Sequence, residues 1–500
     1  MTDAERPTPN VPDSLTEPAG PAVGQDEWVA RHAERRLLRG GRLGAVEERL
    51  RAAPWWAWLT VFVCLAALLP VGFSSGYVRR VAFDTVLYML LALGLNVVVG
   101  WGGLLDLGYI AFYGLGAYCY ALLSSNQFDV HLPTVATVPI VVVVGAVAGW
   151  LIGLPSWRLS GDYLAIVTLF FFQIFIVVVT NGDHLFGHNV TGGSNGIGGV
   201  DANVRPFNLF GHDLPVAHSG SFNVAYLYVV LAFFAVVFVL LRFVNESRIG
   251  RAWRSLREDP LAAELMGMPV NWLKLLAFSF GAAVAALSGT IFAALNAGVF
   301  PTTFAFPLLI TVYTMVILGG SGSQAGVIVG AIVVNVLLEL LRDAGNARYV
   351  FYALIVLALF GVYRLSVRLA VVLGGTIALG FVVHGIASAI AKSNVDGPAN
   401  GENWLIDGLR HWVIVPRDLG PWKQITYVAL IGVILLLTLV RGWWRVALLV
   451  PTLYLAAFVW ENVMLTAPEA TRFIILGAIL VSVMIARPSG ILGERRVEIV

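Results

Sequence analysis

The chain has 500 residues, 58% hydrophobic and only 12% charged, with a formal net charge of +2 and a mean hydropathy of +0.81. These values exclude an ordinary soluble globular protein and fit a polytopic membrane protein; so small a net charge gives no reason to expect nucleic acid. The two cysteines, Cys64 and Cys119, lie far apart in apolar segments, so neither a disulfide framework nor a metal site is indicated.

Residues 1–53 differ from everything after them and read as a cytoplasmic tail. The first 25 are rich in Pro, Ala, Gly and acids, a disordered composition. Residues 26–51 follow with seven arginines against five acids and a partial stripe of Leu37, Leu38, Leu43, Val46 and Leu50, interrupted by Gly40 and Gly41. That stripe suits either a helix lying on an anionic membrane face or a solvated tail. No signal peptide is expected, because the first apolar segment begins near Pro54 without a small-residue cleavage site.

A membrane-spanning helix needs roughly 20 apolar residues, and about fourteen candidate segments follow between residues 55 and 486. With both termini inside, the alternation puts Arg158, the loop after Asn245, Arg364, Arg368, Arg441, Arg445, Arg487, Arg495 and Arg496 in the cytoplasm. The loops 124–132 and 181–222 fall outside and carry only Arg205, as the positive-inside bias requires. Arg79, Arg80 and the basic residues of the loop 392–424 run against it.

Glycines cluster at two places inside the apolar region. Gly100, Gly102, Gly103 and Gly108 make GWGGLLDLG too glycine-rich for an uninterrupted helix, so a broken or re-entrant segment is expected there. Asp106 within it would be costly against lipid. A second cluster, LGGSGSQAGVIVGA, contains Gly319 and Gly320. Both clusters are consistent with a translocation path or with close helix packing through small residues.

Two loops are more specific. RLSGDY, from Arg158, reads as a helix N-cap. TGGSNGIGG, with Thr191, Gly192 and Gly193, is a turn-rich external loop whose nearby His184 and His188 lack further ligands of metal spacing.

The longest charged run between apolar segments is NESRIGRAWRSLREDPLAAELMGMPVNWLKLLA, from Asn245. Arg248, Arg251, Arg254 and Arg257 stand three apart; Pro260 then opens a short amphipathic helix ending near Gly267. Leu261, Leu265 and Met268 are expected on one face, with Ala262 and Ala263 admitting a partner closely. Such a helix suits a groove on a soluble protein, although a loop that only fixes topology has the same spacing.

No G-x-x-x-x-G-K-[ST], H-E-x-x-H, G-x-S-x-G or C-x-x-C motif occurs, so no catalytic residue and no bound ATP are expected in this chain.

Five blocks in order, GLNVVVGWGGLLDLGYIAFYGLGAY, RLSGDYLAIVTL, TGGSNGI, SRIGRAWRSLREDPLAAELMGMPVNWLKLLAFSF and VILGGSGSQAGVIVGA, with a terminal ARPSGILGERR, resemble the LivM-type permeases of branched-chain amino-acid ABC importers. The resemblance implies an all-α polytopic fold, inserted in the inner membrane, with an importer-permease core at 54–349 and glycine-rich broken or re-entrant segments. It implies that the loop 245–273 is a coupling loop docking on an ATPase, with Arg251, Arg254, Ala262, Ala263, Glu264 and Gly267 as its contact residues. Leu261 stands where the family's usual Glu would be. Implied partners are a second permease of the LivH type, two cytoplasmic ATPase subunits holding ATP and Mg, an external substrate-binding protein, and membrane lipid. Gly100, Gly102, Gly103, Asp106, Gly319 and Gly320 become candidates for the path, and Thr191, Gly192 and Gly193 for an external contact. The expected cargo is a branched-chain or related small amino acid, or an amide or urea-like solute.

The chain departs from the family pattern at 350–471, where about four additional segments and the external loop 392–424 precede the last helix and tail at 472–500. Two other classes compete. A secondary transporter or channel would use intramembrane acids, of which Asp84, Asp106 and Glu339 are few and scattered. A membrane enzyme would need clustered acids and histidines, and His184, His188, Asp201, His212 and Asp213 show no such spacing.

Overall fold

A computed structural model describes residues 55–72, 76–132, 134–159, 161–184, 187–201, 208–209, 212–213, 224–363, 366–390, 412–414, 416, 420, 422–440, 442–464, 468–486 and 490–493. Expectations for residues 1–53 and for most of the loop 392–424 lie outside them. By internal contacts the chain divides into Met1–Leu65 and Ala66–Val500. The described part of the first is the opening of helix α1, Trp55–Gly72.

The described residues of the second unit are helical almost throughout. In order come α2 (Gly76–Leu95), a π-helical turn (Asn96–Trp101), α3 (Tyr109–Leu123), α4 (Thr134–Gly153), α5 (Asp162–Thr180), α6 (Val224–Glu246), and the two short helices α7 (Arg248–Glu258) and α8 (Pro260–Leu265). Then follow α9 (Val270–Asn296), α10 (Phe306–Gly319), α11 (Gln324–Leu340), α12 (Ala344–Tyr363), α13 (Val367–Ile390), α14 (Trp422–Leu439), α15 (Trp443–Val459) with a π-helical turn (Trp460–Met464), and α16 (Pro468–Ala486). Among the described residues seven helices are long and apolar enough to cross a membrane, and seven further apolar helices are shorter. Together they fall on the fourteen apolar segments expected from the sequence.

The hub is α9, whose length is mostly buried and whose inward residues are small: Gly281, Ala282, Ala285, Ala286 and Gly289. Helices α3 and α4 pack against it. A Cβ on Gly145 of α4 would sit 2.5 Å from the Ala286 Cβ, and one on Gly149 would sit 2.5 Å from the Ala282 Cβ. Two facing rows of small residues, one turn apart, let the backbones approach closely enough for dispersion contacts to hold helices together where lipid is as apolar as leucine.

The helix ends gather at two places. At one end, loops from α4, α6 to α9 and α10 to α11 converge, as when Lys274 Nζ donates to the Ser156 carbonyl at 3.2 Å. At the other, the two-residue strands β1 (Ser124–Ser125) and β2 (Val130–His131) pair antiparallel. There β3 (Ile197–Gly198) also pairs with β6 (Gly298–Val299), which follows α9, and Ser125 bridges to Val200. Among the described residues, a further two-residue pair joins β4 (Asn208–Leu209) to β5 (His212–Asp213).

The added helices anchor on α12. Arg348 Nε and Glu461 Oε2 are 2.7 Å apart, with side chains only 4% and 5% exposed, and the Tyr352 hydroxyl donates to Glu461 Oε1 at 3.3 Å. Beside them the rings of Phe351 and Trp460 stack with centroids 4.1 Å apart. A charge pair of this kind tolerates burial because each charge has the other and a hydrogen bond as partner. Leu359, Val372 and Val446 form an apolar cluster joining α12, α13 and α15.

Candidate functional site

Helix α7 carries the arginine run, and helical geometry decides which arginine turns inward. An α-helix turns about 100° per residue, so arginines three apart drift around the axis, and Arg257 lies roughly half a turn from Arg248. Arg248, Arg251 and Arg254 are exposed, whereas Arg257 is half-buried.

Two of the exposed arginines brace α7 on the helix before it. Arg251 Nη1 donates to the Glu246 carbonyl at 2.9 Å, and Arg254 Nη1 donates to Asn245 Oδ1 at 3.3 Å. Ser247 caps the helix, its Oγ accepting from the Ile249 and Gly250 amides at 3.2 and 3.4 Å.

The inward face holds Gly250, Trp253 and Leu256, all buried. The Trp253 ring stacks on Trp101 with centroids 6.2 Å apart and planes at 21°, and meets Phe280 edge-on at 5.9 Å. Its indole N–H donates to the Leu273 carbonyl at 2.8 Å, which satisfies the polar end of a fully buried ring. One turn further on, Arg257 Nη1 donates to the Gly100 carbonyl and to the Ser321 carbonyl at 3.4 Å. Its Nη2 donates to Ser321 Oγ at 3.2 Å.

Gly100 belongs to the first glycine cluster and Ser321 to the second, so one guanidinium joins both. They are also stitched to each other. The Gly322 amide donates to Asn96 Oδ1 at 2.8 Å, and Trp101 Nε1 donates to the Gly322 carbonyl at 2.9 Å.

Two glycines make the cradle possible. Gly103 (φ +66°) and Gly322 (φ +96°) occupy left-handed backbone, and a Cβ on Gly322 would lie 2.6 Å from Arg257 Nη1, one on Gly103 3.0 Å from Arg257 Cγ. Any larger residue would be strained and would fill the space the arginine occupies.

The first cluster is indeed a broken helix. α2 loosens into the π-helical turn, the chain runs irregularly through 102–108, and α3 begins at Tyr109. Asp106 in this break is fully buried. Its carbonyl accepts from the Tyr313 hydroxyl at 2.6 Å, and its amide donates to the same oxygen at 3.0 Å. Oδ1 accepts from the Gly108 amide at 2.8 Å, while Oδ2 has no hydrogen-bond partner among the described residues. The Leu107 amide donates to Thr168 Oγ1 at 2.9 Å. Irregular backbone is thus satisfied by α5 and α10, as burial demands.

Next to α7, α8 is capped by Asp259, whose Oδ1 accepts from the Leu261 and Ala262 amides at 2.9 and 3.1 Å. Leu261, Leu265 and Met266 point outward, the last two 80% exposed; Ala262 and Glu264 are exposed as well. Met268, expected on this face, is half-buried. Ala263, expected to admit a partner, is 3% exposed: two residues on from Leu261 and two before Leu265, it sits on the opposite face and packs on its own chain. Gly267 ends the helix in left-handed backbone, φ +79°.

Residues 77–363, more than half of the chain, match the profile of the family described as "Branched-chain amino acid transport system / permease component". The chain belongs to this family. The permease is 39% identical over 299 residues to the high-affinity branched-chain amino acid transport system permease protein LivM of Escherichia coli, covering 57% of this chain and 68% of that one. It is 25% identical over 272 residues to a probable LivM permease of Methanocaldococcus jannaschii, covering 50% and 72%. To LivH of Escherichia coli it is 25% identical over 284 residues, covering 54% and 88%. No solved structure matches it. Family and helices together make it a multi-pass membrane protein.

Of the candidate path residues in the permease, Gly100 and Gly103 meet at the Arg257 cradle, whereas Gly102 packs on Ala277 of α9 and Asp106 lies on Tyr313. Gly319 packs on Gly326 of α11, and Gly320 against Gly490 of the C-terminal segment. Thr191 and Gly193 are buried. Thr191 Oγ1 donates to the Val179 carbonyl at 2.8 Å, so the loop residues turned outward are Ser194, Asn195, Gly198 and Gly199.

Sequence reading named Arg257 in the arginine run but took only Arg251 and Arg254 as contact residues, and it passed over Trp253, Trp101, Asn96, Ser321 and Gly322. The signal was present in the arginine spacing, since a step of three on a helix cannot keep all four side chains on one face.

Proposed function

We propose that this permease is one membrane subunit of an ATP-driven importer of branched-chain or closely related small amino acids, and that α7 and α8 form its coupling element. The observation that carries the reading is the double attachment of α7: Trp253 and Arg257 fix it to the first glycine break, and Arg257 fixes it to the second. A push received at α8 then passes through Asp259, which caps both short helices, to α7 and from it to both breaks.

In this reading the end bearing α7 and α8 is cytoplasmic, with both termini, and the opposite end faces the outside of the inner membrane. Two cytoplasmic ATPase subunits receive the outward face of α8 through Leu261, Leu265 and Met266, with Arg248 and Glu264 at the rim. They hold ATP and Mg; this chain supplies neither. A second permease of the LivH type completes the path, and an external binding protein delivers the amino acid to the loops around Ser194 and Asn195. ATP binding shifts α7, the cradle transmits the shift to the π-helical turn and to the turn at 320–323, and the breaks beside Asp106 rearrange to pass the substrate.

The test is uptake of radiolabelled leucine by cells carrying or lacking the chain, paired with isolation of the chain from its native membrane in mild detergent. The reading expects ATP-dependent uptake and co-purifying ATPase subunits. Uptake that survives ATP depletion but collapses with the ion gradient, with no ATPase recovered, would instead establish a secondary transporter.

A further inference from the structure

Beyond α16 the next described residues, Gly490–Gly493, lie against the second glycine break. The Ile491 amide donates to the Leu318 carbonyl at 2.9 Å, and the Leu492 amide donates to the Gly319 carbonyl at 3.0 Å. These carbonyls belong to the last turn of α10, where no further helical amide follows to donate to them. Gly490 is buried and left-handed, φ +74°. A Cβ there would stand 2.5 Å from Gly320 Cα and 2.6 Å from Gly320 N.

The next two residues of that break are Ser321 and Gly322, the partners of Arg257 and of Asn96. The turn is therefore held from two sides, by α7 and by the C-terminal segment. Arg257 grips flexible glycine-rich backbone; if the other side of the turn were free, a displacement of α7 would be absorbed there and would not reach α10.

We infer that Gly490, Ile491 and Leu492 form a latch that clamps the end of α10 at the candidate path residues Gly319 and Gly320 and so acts as a positioning element for coupling. The inference rests on the importer reading for its functional half, while the latch itself is a property of this chain alone.

The experiment compares the wild type with Gly490→Val, with truncation after Ala486, and with Arg257→Gln, each purified with its co-assembling subunits. Gly490→Val inserts bulk where none fits; the truncation removes the donors without adding bulk, so a folding defect of the first does not decide the matter. Amide exchange at 320–323 reads the latch, and substrate transported per ATP hydrolysed in proteoliposomes reads the coupling. The expected result is exchange at least tenfold faster and a transport ratio at least tenfold lower in both tail variants, with ATPase co-purification retained. Unchanged exchange overturns the latch. Faster exchange with an unchanged ratio overturns its role in coupling, provided that Arg257→Gln lowers the ratio; if Arg257→Gln leaves it unchanged too, the coupling reading of α7 is what fails, and the latch then stands or falls on exchange alone.

Discussion

Arg257 Nη1, on a surface helix, donates a hydrogen bond to the backbone carbonyl of Gly100 in the interior of the helical bundle. The pair is 157 residues apart in sequence and joins the most charged stretch of the chain to one of its most glycine-rich. A charged donor on a backbone carbonyl contributes about 1.5–3 kcal/mol, so the contact is strong enough to carry a displacement and not only to decorate the surface.

Gly103→Ala and Gly322→Ala each force a side chain into left-handed backbone and into the Arg257 cradle. The backbone alone costs roughly 1–2 kcal/mol. Thermal unfolding in detergent should show both variants destabilised by at least that amount. Gly198→Ala, whose Cβ meets no neighbour within 4 Å among the described residues, should unfold like the wild type.

Leu265 and Met266 expose most of their apolar surface at the tip of the permease. Replacing both with Ser should leave unfolding within about 0.5 kcal/mol of the wild type, as for other surface changes. Recovery of ATPase subunits with the detergent-solubilised chain should nevertheless fall at least tenfold. Ala263→Glu is a different experiment, since it buries a charge against the chain's own packing and should destabilise the fold itself.

The buried Arg348 and Glu461 pair makes a sharp prediction for the added helices. Arg348→Met or Glu461→Leu alone leaves an uncompensated buried charge and should cost about 3–5 kcal/mol, whereas the double replacement should recover most of the loss. A double-mutant cycle of thermal melts measures this directly; additive losses would show that the two side chains act separately.

Much of the fold was legible because apolar length and charge placement are one-dimensional properties. All fourteen apolar segments are visible in composition alone, and the break at GWGGLLDLG is announced by its glycines. What was not legible is which segments meet. Ser321 and Gly322 look like loop residues in isolation, and nothing near them in sequence says that Arg257 lies across from them. Ala263 was misjudged for a related reason: a small residue on a short helix permits close approach equally well on either face, and only the packing of α8 on its own chain decides which. Arg348 and Glu461 stand 113 residues apart, and each alone looks like an ordinary charge near a helix end.

The account's central claim is that α7 moves the two glycine breaks through Arg257. The most direct measurement is the number of amino-acid molecules transported per ATP hydrolysed in proteoliposomes holding the assembled importer with Arg257→Gln or Arg257→Lys. The account predicts ATPase subunits bound and ATP hydrolysed at near wild-type rates, with transport per ATP at least tenfold lower in Arg257→Gln and intermediate in Arg257→Lys, which keeps the charge but loses the planar fork. Transport per ATP equal to the wild type in both variants would contradict it.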